Sequence, residues 1–442
     1  MIIGAGAAGL CTAWYLKQAG YNRVKVLERS PRIGGKCRSI TVDGQSFDLG
    51  ANYITSAYTR VRELAAHVGA TMYTEKPGHA INAKTGHLRS IFAEVRKHTT
   101  LATLATQAIR YLWKRWRIRR LLTPYRPGFG HVQDHPELRG SFADWLGRNG
   151  LEGLREMLEV PLTLMGYGKL DHIPAAYALT YMSPKTFKDL GFFALNFPLR
   201  RWPKRFTQGY GRMFERLAAE VNVLTGVKNL KIAREAAIRV DYDVQVQQLE
   251  GTIKEPVTEY FDHLIVACPQ VTEVIEPFLD LDEQERKLFS QVVYNPFYVT
   301  TYIAPGTRVI SAVTFSMNDP QVGHPYVVTR QYPGNDFISV YSRGDREEKI
   351  GRPEILANNV RFLATITDQD PTAQPSLCDD WAYFPHVKVE NFDAGFYGEL
   401  EGLQGHRNTY YSGGLLAFEL VETIAEYSHH LVQRHFVGRG DA

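Results

Sequence analysis

Glycines near the amino terminus have the type and spacing needed to hold a phosphorylated ligand. They follow a short apolar strand over residues 1–3 and lead into a helical pattern that runs from Leu10 to about Gln18. This spacing allows a tight turn, close approach of the backbone to a pyrophosphate, and close packing of the helix on the strand. The first N–H groups of such a helix lack partners and attract an anion. The residues expected to cradle the pyrophosphate are Gly4, Gly6, Ala7, Ala8 and Gly9.

Glu28 is the next residue of this motif with a chemical role. It lies nineteen residues after Gly9, at the end of a second apolar strand over residues 24–27. A carboxylate at that place accepts hydrogen bonds from the hydroxyls of a nucleotide ribose and disfavours a 2′-phosphate, which argues against NADP. The spacing therefore predicts a dinucleotide site. The alternative is a glycine-rich turn with a purely structural role.

The residues after Glu28 indicate which dinucleotide is bound. Residues 29–39 read RSPRIGGKCRS and, with Glu28, resemble the second flavin fingerprint of the flavin amine-oxidase superfamily. In that superfamily the glycine pair lets the backbone pass the diphosphate, the basic residue lies near it, and a segment like residues 48–52 lies next to the flavin ring. The resemblance implies non-covalently bound FAD rather than NAD. The residues it implies are Arg29, Gly35, Lys36, Arg38, Gly50, Ala51 and Asn52.

Later stretches resemble the same superfamily in the order in which it uses them. Residues 221–232 resemble the strand that contacts adenine through main-chain groups, and residues 261–269 resemble a buried parallel strand of the cofactor domain. A glycine loop then precedes a closing helix from Val421 to Val432, whose N-terminus we expect to point at the flavin pyrimidine. The further FAD-binding residues that the resemblance implies are Val227, Gly413, Gly414 and Val421.

Gly414 departs from the superfamily's pattern. The superfamily usually has Glu or Asp after the glycine that matches Gly413, and that carboxylate reaches the ribityl chain or the diphosphate. Its absence removes a contact worth about 1 kcal/mol or more. Three consequences are open: looser FAD binding, substitution by main-chain N–H groups, or a protein that no longer turns over.

Length and composition bound the class of protein. The 442 residues are enough for two or three domains with a sizeable core. A net charge of +4 is too small to imply a nucleic-acid partner. Four cysteines without CxxC spacing indicate free thiols and a cytoplasmic location. No signal peptide precedes the glycines, no apolar run is long enough to span a bilayer, and no His/Cys cluster has the spacing of a metal site.

The predicted fold class is α/β. It comprises a Rossmann-like FAD-binding domain of the amine-oxidase type, an antiparallel-sheet substrate domain and a helical lid. Strand patterns between residues 292 and 343 supply the antiparallel sheet. The predicted divisions are FAD-binding parts over residues 1–76, 207–270 and 376–442, a helical lid and substrate region over 77–206, and the sheet domain over 271–375.

Three stretches resemble a narrower group, the polyenoic fatty acid isomerases of the linoleic acid isomerase type. They are residues 166–177, 383–386 and 401–409. The resemblance implies a redox-neutral hydride shuttle, in which flavin N5 accepts hydride from a bis-allylic carbon and returns it to a different carbon. The diene then emerges conjugated, and the protein need supply no acid or base. The implied substrate is a lipid-like molecule, a polyunsaturated fatty acid.

The same stretches supply candidates for the reacting site. His386 is a catalytic candidate near the flavin, with a structural histidine hydrogen-bonded in a turn as the alternative. Tyr167 and Phe384 are the other catalytic candidates, and together with Phe418 they are candidates to border the substrate, with core packing as the alternative. The candidates to hold a substrate carboxylate are His79, Arg89, Arg200 and Arg205.

Two other functions fit this sequence. One is oxidation of an amine or another reduced substrate, in which the flavin passes electrons to oxygen. That chemistry commonly uses a lysine near N5 and an aromatic cage, neither of which the sequence locates. The other is a non-catalytic flavin- or lipid-binding protein, which Gly414 would permit. The sequence leaves the oligomeric state open.

Residues 110–120 interleave basic side chains with Trp113 and Trp116. Such a pattern on a helix is typical of peripheral contact with a membrane surface. The alternative is a solvated lid helix whose aromatic side chains pack on the body of the protein.

Overall fold

The computed structural model describes residues 1–76, 78–82, 85–123, 126–194, 203–248, 251–307, 311–314, 322–332, 334–345, 347–372 and 374–437. The helices are α1 Ala7–Gln18, α2 Arg60–His67, α3 Ile91–Val95, α4 Leu101–Arg117, α5 Phe142–Arg148, α6 Arg155–Leu162, α7 Ala175–Tyr181, α8 Pro184–Ala194, α9 Gly209–Ala218, α10 Thr272–Ile275, α11 Glu283–Phe289, α12 Arg352–Leu363, α13 Val389–Asp393, α14 Phe396–Gly402, α15 Gly414–Ala417 and α16 Val421–His435. The strands are β1 Ile2–Ile3, β2 Lys25–Leu27, β3 Ser39–Val42, β4 Gln45–Asp48, β5 Met72–Thr74, β6 His79–Ile81, β7 Leu88–Ser90, β8 Lys204–Phe206, β9 Asn222–Leu224, β10 Lys228–Arg234, β11 Ile238–Gln248, β12 Gly251–Phe261, β13 Leu264–Val266, β14 Val293–Ile303, β15 Ser311–Thr314, β16 Pro325–Thr329, β17 Phe337–Arg343, β18 Leu377–His386 and β19 Thr409–Tyr411.

A parallel sheet with the strand order β19-β13-β1-β2-β9 organises the amino-terminal motif. Ile2 of β1 lies opposite Val26 of β2 on one side and Ile265 of β13 on the other. The short strands are mostly buried and apolar, as expected of parallel strands covered on both faces. Helix α1 connects β1 to β2 and packs against α16. Because the strands run in parallel, the turns that follow them meet at one edge of the sheet.

A second, largely antiparallel sheet has the strand order β18-β14-β17-β16-β15-β6-β7. Side chains alternate between its faces: Tyr302 and Val340 pack with Phe362 of α12, whereas Phe297 and Tyr341 belong to a separate apolar cluster on the opposite face. Strands β6 and β7 come from the segment before the lid helices, and β18 comes from the segment after residue 375. The sheet therefore takes strands from beyond the predicted 271–375 division.

Helices α4 to α8 form a helical region packed around Tyr111. The Tyr111 ring stacks on Phe187 with centroids 4.5 Å apart and meets Trp145 edge-on at 6.0 Å. A capping box between Ser141 and Asp144 starts α5. The region begins with two helices, α3 and α4, separated by residues 96–100. No helix within the described ranges is both long and apolar enough to cross a membrane.

A buried charge network ties the antiparallel meander β10-β11-β12 to the parallel sheet. Arg234, at the end of β10, donates from Nη1 and Nη2 to both carboxylate oxygens of Glu285 at 2.6 Å and from Nε to Asp280 at 2.7 Å. Tyr411 of β19 donates its hydroxyl to Glu285 at 2.6 Å. The side chains of Arg234 and Glu285 are fully buried, so neither can exchange its partner for water.

Removal of Arg234 therefore tests how strongly this network holds the fold. We expect Arg234→Met to destabilise the protein by about 3–5 kcal/mol, because it leaves the Glu285 carboxylate buried without its partner. Thermal and urea unfolding measure this loss. Arg239→Met is the matched control: Arg239 pairs with Asp241 on the exposed side of β11, and its removal is expected to change the stability little. An equal loss of stability in the two variants would show that the buried Arg234–Glu285 pair does not hold the fold more strongly than an exposed pair does.

Candidate functional site

A cavity of about 1060 Å³ opens where the parallel strands end and extends to one face of the antiparallel sheet. Its wall begins at the turns after β1, β2 and β13 and continues to residues of β14, β16 and β17. The cavity thus lies at the carboxyl edge of the parallel sheet, where ligands of such folds bind. Its volume is at the upper end of the usual range for ligand pockets.

The first glycine turn gives the backbone direct access to this cavity. Gly4 has a φ of +103°, which favours glycine. A Cβ on Gly9 would lie 1.9 Å from the carbonyl oxygen of Gly4, so only glycine lets α1 pack this closely. A Cβ on Gly6 would lie 3.9 Å from the Cα of Gly35, and no side chain caps the start of α1. The unpaired N–H groups at this end of the helix are therefore available to an anion.

The second glycine turn lies directly against the first. The N–H of Gly34 donates to the carbonyl of Ala5 at 2.8 Å, and Gly35 approaches so closely that its Cβ would lie 3.1 Å from the Cα of Gly6. Lys36 also lines the cavity. The two turns together form one backbone cradle, which suits a diphosphate because both sides can approach it without side chains.

Glu28 borders this cradle. Its Oε2 accepts the N–H of Ala5 at 2.9 Å and its Oε1 accepts the N–H of Ser30 at 2.8 Å. These bonds fix the carboxylate in place and leave lone pairs on both oxygens for ribose hydroxyls. Val227 follows β9 and lines the cavity near Glu28, because its N–H donates to the Glu28 carbonyl at 3.0 Å.

The structure places most of the predicted cofactor residues on the cavity wall. Those residues are Gly4, Gly6, Ala7, Ala8, Glu28, Arg29, Gly35, Lys36, Gly50, Ala51, Asn52, Val227, Gly413, Gly414 and Val421. Gly9 instead packs behind Gly4, and Arg38 pairs with Asp379. Arg32, which the sequence analysis did not select, lines the cavity and donates from Nη1 to the carbonyl of Gly35 at 2.8 Å. The arrangement of these residues fits FAD, and their binding roles remain predictions.

Glu419 occupies the space that Gly414 leaves. A Cβ on Gly414 would lie 3.0 Å from the Cβ of Glu419. The Glu419 carboxylate pairs with Lys36 and accepts the N–H of Phe384, and Glu419 lines the cavity. An acid is therefore present beside the cradle, five residues after the position where the superfamily usually has one. No sequence signal marks this residue, because its approach to Lys36 depends on the fold.

Aromatic side chains form much of the wall beyond the cradle. Tyr167 lines the cavity, and its ring contacts Phe418 and Phe384 at centroid distances of 4.7 and 5.1 Å. The described cavity-lining residues do not include Phe384 or Phe418, which support Tyr167 from behind. Both have a positive φ, 53° and 70°, a strained conformation for a non-glycine residue. The other lining aromatic residues are Tyr53, Tyr58, Tyr181, Tyr210, Phe297, Tyr341, Trp381, Tyr383 and Phe278.

His386 is the last residue of β18 and lies behind this wall. Its Nδ1 is 2.6 Å from the carbonyl oxygen of Phe384, and its ring stacks on the Phe384 ring at 4.5 Å. Burial lowers the pKa of His386 to about 4, so the ring is neutral near pH 7. In the described part of the chain Pro385 lines the cavity and His386 does not. These contacts favour a structural histidine, in a strand rather than in the predicted turn, and the catalytic role stays a prediction.

The candidates for holding a carboxylate lie in different places. Arg205 of β8 lines the cavity with its side chain buried. His79 and Arg89 lie on β6 and β7, and neither is among the described lining residues; Arg89 pairs with Glu94 at 3.4 Å. Arg200 lies outside the described residues. Of the four, Arg205 alone brings a guanidinium to the described cavity wall.

Arg205 has an unused hydrogen-bonding group. It forms an ion pair with the largely buried Glu75, and its guanidinium carbon lies 4.6 Å from the centre of the Tyr53 ring. Its Nη1 is buried and makes no hydrogen bond to any described residue. Burial alone lowers the pKa of Arg205, but the neighbouring tyrosines and Glu75 raise it on balance. The cavity wall therefore carries a permanent positive charge with a donor to spare.

Comparison with known proteins gives concordant matches. A family model described as flavin containing amine oxidoreductase matches residues 7–303. The crystal structure of the CLA-producing fatty acid isomerase from P. acnes is similar with a TM-score of 0.84 and 25% identity, over 99% of this chain and 98% of that one. The FAD-dependent oxidoreductase dpchF of Colletotrichum higginsianum is 24% identical over 94% of this chain and 88% of its own.

A putrescine oxidase bound to putrescine shares the fold alone, with a TM-score of 0.63 and 17% identity over 98% of this chain and 96% of that one. These matches confirm the predicted Rossmann-like fold of the amine-oxidase type. They also confirm the resemblance to that superfamily and to the fatty acid isomerases.

Asp48 offers a test of the electrostatics beneath the site. Burial raises its pKa to about 6, although hydrogen bonds from Ser39 and the N–H of Tyr210 oppose this rise. The unfolded value is about 3.9. The Asp48 carboxyl therefore holds its proton more tightly in the folded state than in the unfolded state. The stability that this proton contributes is fully present below pH ~4 and is lost as the pH rises through about 6.

In the native protein we expect the free energy of unfolding to fall by about 2–3 kcal/mol between pH 4 and pH 7 as Asp48 loses its proton. The Asp48→Asn variant should not show this fall. Urea unfolding of both proteins at several pH values measures the difference. Asp43→Asn, on the exposed turn of the same hairpin, is the control and should leave the pH dependence unchanged. Parallel pH profiles for the native protein and Asp48→Asn would show that the carboxyl does not titrate in this range.

Proposed function

The chain belongs to the flavin containing amine oxidoreductase family, and we propose that within this family it isomerises a double bond of a polyunsaturated fatty acid. Membership of the family makes the protein an FAD-dependent flavoenzyme. The fatty acid substrate, the redox-neutral outcome and the non-covalent attachment of FAD are the parts that we propose.

One observation carries this proposal: the two-turn cradle and an aromatic chamber with a buried guanidinium belong to the same continuous cavity. A polyunsaturated fatty acid has an apolar chain and a single carboxylate, and the chamber offers both matching environments. The full-length similarity to a CLA-producing fatty acid isomerase supports the same substrate class.

The side chains of the chamber are suited to a reaction without protein acid or base. No histidine is present among the described lining residues, and burial raises the pKa of Tyr167 well above its usual range, so its phenol stays neutral. The Tyr167 hydroxyl donates to the carbonyl of Glu419 at 3.1 Å, which fixes the ring. When bound, the flavin supplies a ring that takes up hydride and gives it back. The aromatic wall holds the carbon chain and excludes water.

Arg205 is the residue we assign to the substrate carboxylate. Glu75 occupies the Nε side of the guanidinium, and the buried Nη1 makes no hydrogen bond to a described residue. A charge-assisted hydrogen bond from a buried guanidinium is stronger than a neutral one. It would hold one end of the fatty acid and so select which carbons reach the flavin.

An oxidase is the second candidate, and the aromatic cluster favours it. Tyr167 lies 4.7 Å from Phe418 and 5.5 Å from Tyr383 between ring centroids, and such clusters are common where amine oxidases bind their substrates. The two candidates differ in where the electrons go. An isomerase returns them to the substrate, whereas an oxidase passes them to oxygen.

A linoleate challenge under anaerobic conditions distinguishes these functions. We expect the ultraviolet absorbance of a conjugated diene to grow over many turnovers, while the visible flavin band recovers fully and no oxygen is needed. Lasting bleaching that is reversed only by air, with oxygen consumed, would establish an oxidase. Binding of linoleate without a new absorbance or bleaching would indicate a carrier. Either of these results would overturn the isomerase proposal.

Substitution of Arg205 tests the carboxylate contact. Because removal of Arg205 alone leaves Glu75 buried and unpaired, we compare Glu75→Gln with Glu75→Gln/Arg205→Met. The double variant should raise KM for linoleate by about tenfold to a hundredfold, the effect of a hydrogen bond to a charged group, with kcat nearly unchanged. KM for methyl linoleate should be alike in both variants. An equal KM for linoleate in the two would exclude Arg205 as the anchor.

A further inference from the structure

The outward face of α4 carries an unusual concentration of exposed apolar side chains. Leu101, Ile109, Trp113 and Trp116 have exposed fractions of 50, 70, 50 and 55%. Among the described residues the other exposed large apolar side chains are Tyr260 on β12, Ile303 on β14 and Val437 after α16, which are scattered. We call the exposed side of α4 and the turn after it, residues 101–120, the α4 face.

The helical periodicity separates this face into two strips. With about 100° per residue, Trp113 and Trp116 lie within about 40° of Ile109 around the helix axis. Arg110 and Arg117 lie about 80–100° to one side of that apolar strip. Leu104, Tyr111 and Arg115 are buried on the opposite side. Arg115 is thus part of the packed side, although in the sequence it belongs to the basic pattern of residues 110–120.

The charge on the α4 face has a single sign. No Asp or Glu occurs between Glu94 and Asp134. The basic side chains lie beside the indole rings: Arg117 is 4.9 Å from the Trp113 centroid and Arg119 is 4.2 Å from the Trp116 centroid. The face therefore presents cations next to indole rings, the combination found where a protein meets the headgroup layer of a bilayer.

The packed side of α4 holds this face in its outward orientation. The Tyr111 hydroxyl donates to the carbonyl of Met182 at 2.6 Å, and Arg115 Nε donates to the carbonyl of Leu179 at 2.8 Å. Tyr111 also stacks on Phe187 of α8. The far end of α8 brings Phe193 to within 6.3 Å of the Tyr53 ring, which lines the cavity. Helix α8 therefore connects the α4 face to the cavity wall.

We propose that the α4 face docks on the surface of a lipid bilayer that contains anionic lipids. Ile109, Trp113 and Trp116 enter the interfacial layer, and Arg110, Arg117 and Arg120 contact the headgroups. A second copy of the chain fits poorly, because a symmetric contact would set two acid-free basic strips against each other. Nucleic acid supplies the negative charge but no apolar layer for the strip. This inference does not depend on the proposed isomerase activity.

Vesicle binding by the full-length protein tests the proposal. Sedimentation with phosphatidylcholine vesicles should recover little protein, and vesicles that also contain phosphatidylglycerol should bind it, with binding weakened at high salt. Trp113→Ser/Trp116→Ser and, separately, Arg110→Gln/Arg117→Gln/Arg120→Gln should each reduce the partition coefficient by about tenfold or more. In the native protein the tryptophan emission should shift to shorter wavelength on binding.

Matched controls separate this face from general charge and hydrophobicity. Tyr260→Ser removes another exposed aromatic residue, and Arg212→Gln/Arg239→Gln/Arg286→Gln makes the same change in net charge at other exposed positions. Both should bind as the native protein does. Absence of vesicle binding, or equal losses in controls and α4 variants, would overturn the proposal. So would a dimer that the Trp113→Ser/Trp116→Ser variant converts to monomer.

Discussion

The structure depends on the close approach of two backbone turns. Gly6 and Gly35 come so near that a single Cβ on Gly35 would press on the Cα of its neighbour, and the turns are joined by the bond from Gly34 to Ala5. Only backbone is available to line this narrow place, so its N–H groups and the start of α1 determine what binds there. The parallel sheet brings these turns together at one of its edges.

The chamber beyond the cradle follows a different principle. There the antiparallel sheet and the helical region contribute large aromatic side chains, and the charges are buried in pairs rather than exposed to water. Arg205 with Glu75 is such a pair, whereas Lys36 with Glu419 is a partly exposed pair beside the cradle. A buried pair is costly to break, so each one fixes the position of its elements. The site therefore combines a backbone cradle that fits a charged cofactor with a largely aromatic space that fits an apolar chain.

Local motifs were predictable from the sequence, whereas contacts between distant segments were not. The glycine turns and Glu28 are contiguous signals with fixed spacing, and they led directly to the parallel sheet and the cavity wall. Glu419 approaches Lys36 from far along the chain, so the sequence showed only the missing acid at Gly414. The same limit applies to the alternatives for His386 and the four carboxylate candidates. These alternatives are distinguished by how deeply each side chain is buried, and no local sequence pattern encodes that burial. Arg115 shows that even a regular helix hides which cations face inward.

The flavin content of the purified protein tests the central claim, that the two turns hold FAD, most directly. The protein should be yellow, and acid precipitation should release one FAD per chain into the supernatant, as non-covalent binding requires. Protein that is colourless and fails to take up FAD supplied in excess would contradict the account.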